Sequence, residues 1–122
     1  MAEESADPRS FLPLTPLAFQ VLLALADDDR HGYGIIREIE ERTGGLIALR
    51  TGTLYTMLQR LFEDQLIETS DHRPAREADD ERRKYYRLTA LGRGVLGAEA
   101  RRLESALGDA RRKRVLPRAA KG

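Results

Sequence analysis

Between Arg50 and Leu88 the chain sets out hydroxyls, an amide, a phenol and cations at spacings that let them act together. In TGTLYTMLQRLFE, Thr53, Thr56 and Arg60 recur three and four residues apart, with Tyr55 and Gln59 beside them and Thr51 just ahead. A helix would carry them on one side. These groups recognise by hydrogen bonding. A threonine brings a hydroxyl for a base edge and a methyl for contact with thymine. A tyrosine hydroxyl can donate to a phosphate while its ring packs at the helix edge. Arg60 can reach a phosphate or pair with Glu63 or Asp64. Farther on, Arg82, Arg83 and Lys84 form a basic triplet suited to phosphate, with Glu77, Asp79, Asp80 and Glu81 close before it. The plain alternative for the helix is a solvated face that simply happens to carry Thr and Gln.

Other chemistry finds little support. There is no cysteine, so a thiolate metal site, a cysteine nucleophile and a disulfide framework are all excluded. His31 and His72 are far apart and no HExxH run exists; His31 reads as a residue at the start of a helix and His72 as a loop residue. No nucleophile–base pair, GxSxG elbow or phosphate-cradling glycine loop occurs. The expectation is a protein that is not an enzyme and uses no cofactor or metal.

The elements that must position these groups can be read from periodicity. Leu54, Met57, Leu58, Leu61 and Phe62 follow the i, i+3, i+4, i+7, i+8 pattern of a helix with one buried face, and Thr51 can cap it. Leu66–Ser70 and Lys84–Leu88 read as two strands of a ribbon, with Tyr85 and Tyr86 on opposite faces. The thirteen residues between them are polar and contain Pro74, a longer connection than a hairpin normally has. Ahead of this lie two more helices. One is opened by Thr15-Pro16 and is apolar almost all round; the other follows His31-Gly32-Tyr33-Gly34 and is stopped by Gly44-Gly45. Residues 46–50 can form a short extended piece. Thr89 can cap a last helix whose Leu96, Ala100, Leu103, Leu107 and Ala110 follow a 4-3-4-3 spacing.

The predicted order is helix, helix, helix, strand, strand, helix. This is a mainly α fold with a small β-hairpin, a winged helix-turn-helix plus a C-terminal dimerisation helix. The expected limits are a disordered tail over 1–11, the winged domain over 12–88, the dimerisation helix over 89–114 and a flexible tail over 115–122. Homodimerisation is expected through Leu17 and Val21 of the first helix and the five residues of the last-helix seam.

At 122 residues one domain with a modest core is expected. Net charge is only +1, which alone argues against a nucleic-acid partner, but the distribution is uneven. Residues 1–29 carry about −5, residues 30–81 about −4 and residues 82–122 about +10, so the cationic part begins at the second strand. No run of about 18 apolar residues is present and MAEESADPRS is unlike a signal peptide, so a cytoplasmic protein without a membrane span is expected.

GYGIIREI, GTLYTMLQRLFEDQLI and RRKYYRLTALG, in this order and spacing, resemble the PadR family of transcriptional regulators over roughly Leu14 to Arg112. The short C-terminal part resembles the compact subfamily with one last helix. The resemblance implies a homodimer that binds double-stranded DNA at a two-fold symmetric operator, usually as a repressor. It further implies that the third helix enters the major groove and the wing touches backbone. Some members release DNA when a small ligand binds near the dimer interface, so an effector is implied as well. Some compact relatives stack a ligand on a tryptophan of the last helix; this chain has none. A winged-helix module that docks on protein and not on DNA is the alternative.

Overall fold

Side chains of Thr15, His31 and Thr89 cap three of the four α-helices among the described residues. The computed structural model describes residues 6–71 and 84–117. Thr15 caps helix α1 (Pro16–Ala24), its Oγ1 accepting from the Ala18 N–H at 3.1 Å, with Pro16 in the first turn. Strand β1 (Arg30–His31) runs directly into α2 (Gly32–Arg42). There His31 acts as the cap, Nδ1 accepting from the Gly34 N–H at 3.0 Å. After α2, Gly44 and Gly45 take the left-handed conformation (φ 63° and 84°) and turn the chain away. Residues 46–50 lead into α3 (Thr51–Glu63) without forming a strand.

The hairpin consists of β2 (Ile67–Ser70) and β3 (Tyr85–Leu88), antiparallel, with Ile67 opposite Leu88 and Ser70 opposite Tyr85. The sheet has three strands and not the two expected, in the order β1-β3-β2. Arg30 pairs with Tyr86 and His31 with Tyr85. A two-residue strand is too short to show any alternation, and only its pairing with β3 makes it one. Tyr85 is buried and Tyr86 half-buried, as strand alternation requires.

Helix α4 (Ala90–Arg112) is tied to the end of α3 by its own cap. Thr89 Oγ1 accepts from the Gly92 N–H at 2.9 Å and donates to the Gln65 carbonyl at 2.7 Å. At its far end Arg114 turns left-handed (φ 66°) and the Val115 N–H donates to the Ala110 carbonyl at 2.8 Å. Glu99 lies buried on this helix, accepting two bonds from Arg102 at 2.7 and 2.9 Å. The Arg102 hydrogen bond, aided by one from the Leu14 backbone, holds the Glu99 carboxyl below its ordinary range despite burial.

The core gathers Leu22 and Ala24 of α1, Ile35 and Ile39 of α2, Leu54, Leu58 and Leu61 of α3, and Leu66, Ile67 and Val95 around the sheet and α4. Each such leucine or isoleucine contributes roughly 1.5–3 kcal/mol on burial. Four expectations are corrected here. Pro8–Phe11 form a 3-10 turn packed on α4, with Pro8 beside Gly94, so part of the expected 1–11 tail belongs to the fold. Val21 is fully buried and Leu96 nearly so within this one chain, because both enter its own core, Val21 from α1 and Leu96 from α4; neither offers a surface to a partner. Phe62 is 48% exposed, because the i+8 position falls at the edge of the buried stripe. Arg50, and not Thr51, is the cap of α3, and it makes no side-chain capping bond.

Candidate nucleic-acid interface

An uncapped helix start leaves backbone donors facing outward. The first N–H groups of α3 have no intrahelical acceptor, and Arg50 supplies no side-chain oxygen to take one. A β-carbon on Gly52 would meet nothing within 4 Å, so the first turn stands open for close approach. This end also carries the positive pole of the helix dipole.

All six helix residues singled out from the sequence (Thr51, Thr53, Tyr55, Thr56, Gln59 and Arg60) are exposed on α3. Thr53, Thr56, Gln59 and Arg60 line one shallow hollow with Met57 and Glu63. The Gln59 amide donates to Glu63 at 2.9 Å, a bond it must give up to address a base. Leu54, Leu58 and Leu61 anchor the opposite side of the helix in the core.

Between α3 and the hairpin runs a groove of about 420 Å³ lined by Tyr55, Gln59, Phe62, Thr69, Lys84 and Tyr86, with Leu58 at its base. Lys84 shares this groove with Tyr55 and Gln59, so one wing cation borders the same hollow as the helix face. Arg82 and Arg83 lie outside the described residues. Burial pushes the Tyr86 phenol above its ordinary range, and the nearby Tyr55 adds to the shift. Arg87, the next cation on β3, is already occupied by Glu68 across the ribbon at 2.8 Å.

Phe62, Thr69 and Tyr86 were not singled out from the sequence as site residues. Phe62 was hidden by its apolar character, which assigned it to the core. Thr69 and Tyr86 face the groove only because of the register of β2 on β3. Among the described residues no three His, Cys, Asp or Glu side chains gather as a metal site would require, and no helix is long and apolar enough to cross a membrane.

The arrangement matches known proteins. The sequence model of the Transcriptional regulator PadR-like family matches residues 21–98. An uncharacterised protein of Lysinibacillus sphaericus is 37% identical over 76 residues, covering 62% of this chain and 67% of that protein. RosR of H. salinarum superposes with a TM-score of 0.59 at 31% identity, over 86% of this chain and 89% of RosR. A PadR family transcription regulator from hypervirulent Clostridium difficile superposes with a TM-score of 0.68 at 24% identity, over 80% of this chain and 97% of that one, a likeness of fold. The helix order, the small sheet, the exposed α3 face and the family match agree: this chain belongs to the PadR-like family and is a DNA-binding transcriptional regulator.

Proposed function

We propose that the chain is a sequence-specific repressor acting as a homodimer on a two-fold symmetric operator. The observation that carries this reading is the α3 face: exposed hydroxyls and an amide beside an uncapped helix start, backed by a buried leucine row. In this reading α3 enters the major groove. Thr53 and Thr56 address base edges, while Tyr55, Arg60 and Lys84, together with Arg82 and Arg83, hold phosphates. Helix α4 pairs with a second copy through Leu103 and Ala110, both half-buried, and through Ala100 and Leu107, both exposed, with Leu17 of α1 at the margin. A pair of recognition helices about 34–36 Å apart then reads two half-sites one DNA turn apart.

The partly covered apolar side chains Leu14 and Phe19, packed on the core, mark where a small effector would act on the dimer. Phosphate contacts from several cations make affinity salt-dependent, so raising salt from about 50 to 200 mM should weaken DNA binding by at least ~10-fold. Titration of labelled duplex DNA across that range is the test. Affinity that does not change with salt, or no retention of DNA at low salt, would count against this function and favour a protein-docking role.

A further inference from the structure

Gly32 stands at the first position of α2, and Tyr55 stands on the exposed face of α3. The two residues meet. A β-carbon on Gly32 would lie 2.3 Å from the Tyr55 hydroxyl oxygen and 2.8 Å from Cζ. Its next neighbour, Leu54 Cδ2, would be at 3.4 Å, an ordinary contact. The backbone does not ask for glycine here, since the only left-handed glycines among the described residues are Gly44 and Gly45. What a side chain at position 32 would displace is the tip of one half-exposed ring.

On its other side that ring borders the groove shared with Tyr86 and Lys84. Tyr55 is 47% exposed, so it could swing outward at little cost to the core. The gap at Gly32 is therefore not needed for folding. It leaves room for the ring to lie against α2.

We propose that Gly32 is a positioning residue for DNA recognition, seating the Tyr55 phenol against the first turn of α2 so that its hydroxyl meets a DNA phosphate. This rests on the reading of α3 as the DNA-binding helix. Gly32 touches no DNA itself; it acts through Tyr55.

The test compares full-length wild type, Gly32→Ala, Tyr55→Ala and the double variant. Thermal unfolding and affinity for a duplex recovered from a random-sequence pool are measured for each, and the proton NOE between the Tyr55 ring and the Hα of residue 32 is measured for the two proteins that keep Tyr55. Gly32→Ala should leave the melting temperature unchanged or raised, yet weaken DNA binding by roughly tenfold, the worth of one hydrogen bond to a charged group. Tyr55→Ala should weaken it by a similar factor, and the double variant should be no worse than either single one. Wild-type affinity for Gly32→Ala, or losses that multiply in the double variant, would overturn the proposal. So would absence of the NOE in the wild type, which reports the seating without DNA. If the NOE is present but the wild type binds no duplex, the DNA-binding reading of α3 has failed and the recognition role fails with it, while the ring placement stands.

Discussion

Gly92 lies directly against the carbonyl of Leu66: a β-carbon there would sit 1.9 Å from that oxygen and 2.9 Å from its carbon. The atoms in the way are backbone, so nothing can swing aside. Together with the Thr89–Gln65 bond, this contact sets α4 against the turn that joins α3 to β2. The helix proposed to pair two chains is thus fixed to the helix proposed to read DNA.

Gly92→Ala should therefore cost stability by overpacking, about 1–3 kcal/mol or more. Chemical denaturation measures it. A midpoint equal to that of the wild type would show that α4 is not seated this closely.

Thr53→Ala should relax discrimination at one base-pair position, by about 1–3 kcal/mol, and leave affinity for unrelated DNA unchanged. Competition titrations with single-base operator variants check this. A uniform loss across all sequences would reassign Thr53 to a backbone contact.

For Lys84→Ala the expected pattern is the reverse: weaker binding to every sequence and a salt slope lower by about 1. Binding isotherms at four or five salt concentrations give that slope. If the slope holds at the wild-type value, Lys84 does not touch a phosphate.

Leu107 is 45% exposed on the α4 stripe. Leu107→Lys should leave the helix content unchanged and convert a dimer to a monomer, as measured by sedimentation. A variant that sediments as the wild type does would move the interface off this stripe.

The Glu99 carboxyl is held below its ordinary range by Arg102. A depressed folded pKa gives stability that is present above the unfolded carboxylate value, about 4.3, and is lost as pH falls through the lower folded value. Glu99→Gln should lower stability near neutral pH and flatten the pH dependence below about 4.3. Thermal melts of both proteins from neutral to acid pH decide it; parallel curves would contradict the assignment.

How far the sequence shows these features depends on whether the signal is local. Thr15 and Thr89 could be recognised as caps because a hydroxyl bonds an N–H three residues on, and both do so. Leu54, Leu58 and Leu61 were legible because a helix repeats its buried face. The two-residue strand β1 was not, since only its pairing with Tyr85 and Tyr86 defines it. Val21 illustrates the other failure: an apolar helix suggests burial without saying whose core it enters. The contact of Gly32 with Tyr55 and the buried place of Glu99 are likewise products of packing between distant segments. A Glu three residues before an Arg looks, in sequence, like any surface pair.

The central claim, a dimer reading a symmetric site through α3, is tested most directly by selecting bound duplexes from a random-sequence pool. The account predicts enrichment of a two-fold symmetric motif with half-site centres about 10 base pairs apart, and loss of base preference within each half-site for Thr53→Ala. A pool without enrichment, or a motif unaffected by that substitution, would contradict it.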